Sequence, residues 1–180
     1  MTRYVAFLRA INVGGHIVKM DALRKHFTSL GFDDVETFIA SGNVIFRTRS
    51  NAAAALERRI EACLEERLGY EVKTFLRTDA EVAAIAAHRA FEPARVASAG
   101  SFNVGFLAGA LDKAAITKVK GFVSEIDDFH VNGRELYWLC RTKQSDSKFS
   151  NAAFERVIGV RSTFRGLNTI RRLAENLALP

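Results

Sequence analysis

The most constraining feature of this sequence is an order of secondary-structure signals that occurs twice. Over residues 1–90, apolar spacing and turn residues predict strand, helix, strand, strand, helix, strand and helix in succession. Over residues 101–180 the same order returns, although the two halves share little sequence identity. Residues 91–100 interrupt the pattern with Pro93 and several small side chains, so we expect a linker there.

A short hairpin occupies the same place in each half. In the first half, strands over residues 35–40 and 44–48 flank Gly42-Asn43, a pair typical of a tight turn. In the second half Asn132-Gly133 takes this place, and Asn-Gly is the strongest short-range hairpin signal. The two hairpins therefore align the halves as copies of one supersecondary unit.

Helix boundaries are marked by capping residues. Ser50 is predicted to cap a long helix that ends at Gly69. In the second half, Ser147 or Ser150 is predicted to cap a helix that ends at Gly159. These signals divide the apolar pattern into elements of ordinary length.

Strand, helix, strand, strand, helix, strand is the order of a ferredoxin-like unit, and here an extra C-terminal helix follows each copy. We therefore predict an α+β protein of two duplicated βαββαβ (ferredoxin-like) subdomains, over residues 1–90 and 101–180. The first strand, YVAFL at residues 4–8, is apolar in both phases. Both faces of its sheet should therefore be covered.

Composition excludes several classes of protein. Apolar residues make up 48% and charged residues 26%, which is typical of a folded globular chain and not of a disordered one. No uncharged run approaches the ~18 apolar residues of a membrane span, and the N-terminus lacks the features of a signal peptide. We expect a cytoplasmic protein without a membrane partner. Cys63 and Cys140 lie in apolar patterns far apart, which indicates buried, unreactive thiols.

The positive charge is concentrated towards the C-terminal end. The net charge is +6, and the last forty residues contain eight basic and three acidic side chains. A local positive potential favours anionic partners such as phosphates or nucleic acid. The alternative is a solvated basic surface that only aids solubility.

Topology brings a first group of polar residues together. In a βαββαβ unit the first two strands run parallel, so the loop after the first strand and the hairpin emerge at one end of the sheet. Glycines in this group allow close backbone approach, and a helix that begins near Lys19 favours a phosphate or carboxylate there. The alternative is a strained glycine turn that Ser41 and Asn43 merely cap. The candidate ligand-binding residues at this end are Arg9, Asn12, Gly14, Gly15, His16, Lys19, Ser41 and Asn43.

A second group lies in the other half. The loops after its third and fourth strands share one end, where two helix N-termini and several cations make an anion-accepting surface. The alternative is helix capping with solvated cations, which leaves Arg165 unexplained. The strongest candidates here are Lys148, Arg165 and Asn168, with Arg141, Lys143, Ser145, Ser147, Asn151 and Thr169 beside them.

Other chemical motifs are absent from the sequence. It has neither the dinucleotide fingerprint nor the phosphate-binding loop, so we expect no cofactor. The histidines at 16, 26, 88 and 130 have no metal-ligand spacing, so we expect no metal. His16 alone lies in a candidate loop, but the sequence identifies no partner to orient it as a base. Adjacent Asp127 and Asp128 would point to opposite faces of a strand, and we expect them to be solvated at a strand edge.

Both ends of the chain resemble a known family. RAINVGG at residues 9–15, then VKM and LRKHFTSLGFDDVETFIASGNVIF, resembles the opening of the bacterial domain-of-unknown-function family 1697 (DUF1697). GRELYW, SKFSNAAFERVIGV and STFRGLNTIRRL are similar to its closing stretch. The resemblance implies an α+β fold with two similar subdomains. Since the family has no established activity, no catalytic residue can be carried over from it. It also implies a family loop at residues 9–15 and a family turn at residues 41–43, whereas Leu167 stands where an aromatic is usual.

Taken together, these residues favour a binding module for an anionic, phosphate-bearing ligand, either a nucleotide or nucleic acid. One alternative is a small-molecule enzyme in which Arg9, Lys19 and Arg165 clamp a substrate and His16 is the base. Another is a structural or regulatory protein without a ligand. The sequence indicates no particular reaction and no oligomeric state.

Overall fold

The structure is a computed structural model that describes residues 1–12, 14–39 and 42–179. The chain divides into two compact units, one of Met1–Ala83 with Leu177–Pro180 and the other of Ala84–Asn176. Among the described residues, no helix has both the length and the apolar character needed to cross a bilayer.

The first unit contains a four-stranded sheet. Its strands stand in the order β2-β3-β1-β4, and every neighbouring pair is antiparallel. The helices α1 and α2 join β1 to β2 and β3 to β4, which is the ferredoxin-like arrangement. The elements are β1 (Thr2–Leu8), α1 (Met20–Ser29), β2 (Asp33–Thr37), β3 (Asn43–Thr48), α2 (Ala53–Leu68), β4 (Thr74–Thr78) and α3 (Asp79–Ala87), of which α3 continues into the second unit.

The second unit repeats this sheet in the order β6-β7-β5-β8, again antiparallel throughout. The predicted duplication of a ferredoxin-like α+β unit is therefore confirmed. Residues 91–100, predicted as a linker, contain the helix α4. The elements are α4 (Pro93–Ser98), β5 (Ser101–Leu107), α5 (Lys113–Val119), β6 (Asp127–Asn132), β7 (Glu135–Cys140), α6 (Asn151–Ile158), β8 (Ser162–Gly166) and α7 (Leu167–Ala178).

Both faces of β1 are buried, as its apolar sequence predicts. On one face, Tyr4, Ala6 and Leu8 belong to a core cluster with Phe27 of α1 and Ile60 of α2. The intervening residues Val5 and Phe7 are each 0% exposed, although they point to the opposite face. Burying a side chain of this size contributes about 1.5–3 kcal/mol, so β1 stabilises the unit through both of its faces.

The core of the second unit is unusually aromatic. Leu107, Leu136 and Phe154 are buried in one cluster with parts of α5 and α6. Around them, Trp138 lies 4.7 Å from Phe149 between ring centroids, at a tilted angle. Such pairs add about 0.5–1.5 kcal/mol beyond the area they bury. Aromatic side chains therefore cover the sheet face towards α5 and α6.

The turn predictions are right about the hairpins and wrong about their positions. Asn43 is not in a two-residue turn, because it is the first residue of β3 and β2 already ends at Thr37. Its side-chain amide donates to the Phe38 carbonyl oxygen (3.0 Å) and so holds the longer connection from within the strand. In the second unit the turn is Gly133-Arg134, because Asn132 still pairs with Glu135 in the ladder.

The predicted caps are partly correct. Gly69 (φ 80°) and Gly159 (φ 78°) end α2 and α6 in the left-handed conformation that favours glycine. Ser150 caps α6 by accepting from the Ala153 N–H (3.2 Å). The prediction for Ser50 is wrong, because α2 begins after Ala52 and has no side-chain cap.

Candidate ligand-binding site

The loop after β1 and the connection between β2 and β3 lie at one end of the first unit. The Leu8 N–H donates to the Gly42 carbonyl oxygen (2.8 Å), which joins the end of β1 to the start of β3. The Arg9 N–H donates to the Lys73 carbonyl oxygen (2.9 Å), which ties the loop to the segment before β4. The candidate residue Ser41 lies outside the described residues.

Two of the predicted donors at this end support the backbone. Asn12 accepts from the Val18 N–H through its side-chain oxygen (2.8 Å) and so closes the loop. Asn43 is 1% exposed and donates to a backbone carbonyl within its own connection. Gly14 (φ 68°) and Gly15 (φ 86°) are exposed and left-handed, which a loop of this shape requires.

The cations at this end have different surroundings. Arg9 is half-buried, whereas Lys19 is exposed immediately before α1. The His16 ring is exposed and stacks on Tyr70, with 4.0 Å between ring centroids. No hydrogen bond from a described residue orients its imidazole, so a base at this position lacks the partner that the enzyme alternative needs.

Gly42 offers a direct test of how this end is held together. A Cβ at Gly42 would lie 2.7 Å from Cγ2 of Ile11, and its φ of 76° is strained for any other residue. We expect Gly42→Ala to lower the free energy of unfolding by about 1–3 kcal/mol more than the φ strain alone does, measured by thermal unfolding. Gly31→Ala is the matched control, because Gly31 has the same φ and nothing within 4 Å of its Cβ position. Equal losses in the two variants would show that Gly42 does not pack against Ile11.

At one end of the second unit, the ends of β7 and β8 meet the start of β5. The Gly100 N–H donates to the Cys140 carbonyl oxygen (3.0 Å), and Asn103 pairs with Gly166. The predicted loop residues Arg141, Lys143 and Ser145 are exposed here, whereas Ser147, Asn151 and Thr169 are half-buried.

Two of these predicted polar residues form hydrogen bonds within the second unit. Ser147 donates to the Asp127 carboxylate (2.8 Å), and Asn151 donates to the Ser162 carbonyl oxygen (3.0 Å). Asp127 is 4% exposed, so the prediction that it is solvated at a strand edge is wrong. The Trp138 indole N–H (2.8 Å) and the Ser124 hydroxyl (3.0 Å) also donate to this carboxylate, which explains how a charged group is buried there.

Arg165 is half-buried in β8, and its guanidinium donates to Thr163 Oγ1 (3.0 Å) and to the Phe164 carbonyl oxygen (2.9 Å). Burial lowers the pKa of Arg165 to about 10. Arg77 occupies the same register in β4, opposite Val5, and donates in the same way to the carbonyl oxygen of Leu76 (2.8 Å). Sequence reasoning missed Arg77, although TFLRT and STFRG already place arginine at the same position.

Lys148 and Asn168 line different cavities. The cavity at Lys148 has a volume of about 480 Å³, and three carboxylates, Glu125, Asp127 and Asp146, also line it. These acidic groups oppose an anionic ligand. Asn168 lines another cavity, of about 300 Å³, which none of the described aspartate or glutamate residues lines.

We call this second space the α7 cavity, since it lies at the start of α7 and is lined by Gly100, Ser101, Asn168 and Arg171 among others. Arg171 is exposed one turn into α7, and the first turn of that helix contains no acidic residue. The Ser101 hydroxyl oxygen is buried, and no described residue hydrogen-bonds to it. Ser101 and Arg171 escaped sequence reasoning because they are far apart in the chain.

A third cavity shares part of the wall of the α7 cavity. Its volume is about 500 Å³, and Phe102 and Arg171 line both cavities. Phe91 and His88 line only this third cavity, which we call the aromatic cavity. The rings of Phe91 and Phe102 lie edge to face, 5.6 Å apart. The two cavities therefore combine a polar space that contains a cation with an aromatic space beside it.

Fold and site together define a duplicated ferredoxin-like α+β protein with a donor-rich cavity in its second unit. The chain belongs to the family described as "Protein of unknown function (DUF1697)", whose model matches residues 1–137. This confirms the family that the sequence resembles.

The structure is also similar to that of the conserved bacterial protein SP0830 from Streptococcus pneumoniae. The match covers 99% of each chain with a TM-score of 0.79 and 23% sequence identity. At this identity the likeness shows the fold alone. No curated protein matches the chain.

Proposed function

We propose that this protein binds an anionic, phosphate-bearing ligand, and that the anionic group occupies the α7 cavity. The observation that carries the proposal is the polar lining of this cavity. Arg171 supplies a cation, Asn168 an amide and Ser101 a buried hydroxyl without a described partner, and none of the described carboxylates opposes them.

The helix itself adds to this lining. The first N–H groups of an α-helix have no partner within the helix, and its dipole makes that end positive. The helix α7 spans 12 residues, so the dipole is well developed. Backbone donors, an amide and a guanidinium at one helix N-terminus are the usual requirements for binding a phosphate group.

The neighbouring aromatic cavity favours a nucleotide over inorganic phosphate. A planar base offers a ring face to Phe91 or Phe102, while its phosphate reaches Arg171 on the shared wall. The two spaces, about 300 and 500 Å³, suit a small molecule. Nucleic acid is the less favoured ligand, because neither cavity offers a row of cations along which a phosphate backbone could run.

The test is a thermal-unfolding screen with inorganic phosphate, AMP, ATP and a short oligonucleotide. A ligand at about 100 times its Kd stabilises the fold by about 2.7 kcal/mol. For a chain of this size we expect the Tm to rise by roughly 5–10 °C. Arg171→Gln should abolish most of this rise.

Arg172→Gln is the matched control, since Arg172 is the next residue of α7, is exposed and does not line the α7 cavity. Lys19→Gln tests the loop end of the first unit and should leave the rise unchanged. The proposal is wrong if no probe raises the Tm of the unmodified chain, or if Arg172→Gln reduces the effect as much as Arg171→Gln does. A salt dependence near one ion per phosphate contacted would identify the oligonucleotide as the better ligand.

The other two functions have less support. The enzyme alternative needs His16 as a base, but no described residue orients its imidazole, and Arg165 already donates within β8. A structural protein without a ligand leaves the buried Ser101 hydroxyl unexplained.

A further inference from the structure

Two histidines that are 42 residues apart in sequence meet in the second unit. His88 directly follows α3 and His130 lies in β6. Their Nε2 atoms are 3.2 Å apart and their ring centroids 5.3 Å apart. Spacing along the chain predicts no metal site, but this pair forms only when the sheet is built. The spacing argument therefore does not apply to this pair.

We infer that His88 and His130 together bind a divalent transition-metal ion of the Zn²⁺ type. In a tetrahedral zinc site each imidazole nitrogen lies about 2.0–2.1 Å from the metal, so two such nitrogens are roughly 3.3–3.4 Å apart. The observed separation of 3.2 Å is close to this value. Both nitrogens are the ring atoms that histidine most often offers to a metal.

An aromatic side chain packs against both rings of the pair. Tyr137 packs against the His88 ring with 4.9 Å between centroids, which helps to fix its orientation. The Tyr137 hydroxyl donates to the Ile85 carbonyl oxygen (3.4 Å).

The pair is an open site rather than a closed structural one. Among the described residues, no group of three or more His, Cys, Asp or Glu side chains could hold a metal. The nearby carboxylate of Asp128 forms an ion pair with Arg95 (2.6 Å). Since His88 lines the aromatic cavity, water or an anionic ligand can complete the coordination from that side. Two protein ligands make binding reversible and weaker than in a four-ligand site.

The inference is tested by titrating the untagged full chain with Zn²⁺ in phosphate-free buffer after treatment with a chelator. We expect one equivalent to bind by calorimetry and the Tm to rise. His88→Gln and His130→Gln should each lower the affinity at least tenfold. Gln keeps a polar side chain of similar length, and circular dichroism checks that each variant folds.

His16→Gln and His26→Gln are the controls, because both histidines belong to the first unit. Absorption of bound Co²⁺ gives a second readout, since its visible bands intensify when the ion exchanges octahedral water for a four-coordinate site. The alternative is a simple hydrogen bond in which one Nε2–H donates to the other ring. Absence of Zn²⁺ binding, or equal binding by all four variants, would establish that alternative and overturn the inference. Arg171→Gln should retain the metal, so failure of the phosphate proposal is distinguishable from failure of this one.

Discussion

Replacing Asp127 by Ala is expected to destabilise the second unit by about 3 kcal/mol. The side chain is 4% exposed, and its carboxylate accepts from three donors. Removing it leaves the Trp138 indole N–H without an acceptor in a buried position, at a cost of about 1–3 kcal/mol. The hydroxyls of Ser124 and Ser147 lose a charged acceptor as well, although both can rotate towards other partners.

The adjacent residue supplies the control. Asp128 pairs with Arg95 at 2.6 Å, but the two side chains are 34% and 40% exposed. A pair this open to solvent contributes about 0–1 kcal/mol, so Asp128→Ala should have a small effect. Asp127→Asn should be intermediate, because one oxygen can still accept from the indole. Urea unfolding followed by fluorescence reports on this unit, since Trp138 is the chain's single tryptophan.

The prediction is tested by the difference in stability loss between the Asp127 and Asp128 variants. Similar losses for Asp127→Ala and Asp128→Ala would mean that the buried network does not stabilise the unit. A loss of 3 kcal/mol corresponds to roughly 6–12 °C in Tm for a chain of this length, which thermal unfolding resolves easily.

Asp127 also shows why part of the structure could be read from the sequence and part could not. Apolar spacing and turn residues are local, and they were enough to predict both hairpins and the duplicated fold. The burial of Asp127 depends on Trp138 and Ser147, which reach it only across β7 and the loop after it. Because the local pattern contains neither of these contacts, it predicts that Asp127 is an ordinary charged side chain at a strand edge.

The candidate sites likewise divide into features that the sequence predicts and features that depend on tertiary packing. Topology alone predicts that the loop after β1 meets the β2–β3 connection, and the hydrogen bond from Leu8 to Gly42 realises that contact. The α7 cavity depends instead on the packing of α4 beside the start of β5, and residues 91–100 carry no helix signal strong enough to predict α4. Arg165 illustrates a further limit, since charge alone does not reveal that a guanidinium donates within its own strand.

Replacing Gly100 by Ala is expected to destabilise the second unit by at least 3 kcal/mol. A Cβ at this position would lie 2.0 Å from the carbonyl oxygen of Thr142 and 2.3 Å from its carbonyl carbon. These are backbone atoms, so no side-chain rotation relieves the contact. Overpacking of an ordinary core costs about 1–3 kcal/mol, and a clash with backbone belongs at or above the upper end.

Gly109→Ala is the matched control, because nothing lies within 4 Å of its Cβ position and its backbone is not left-handed. There we expect no loss, or a gain of about 0.4–1 kcal/mol from the lower entropy of the unfolded chain. Gly100 also donates to the Cys140 carbonyl oxygen (3.0 Å) and lines the α7 cavity. Moving its backbone away from Thr142 must therefore disturb both the β5–β7 junction and the cavity wall. Gly100→Ala should lower Tm and weaken phosphate binding together. A variant as stable as Gly109→Ala would show that the backbones of Gly100 and Thr142 leave room for a methyl group.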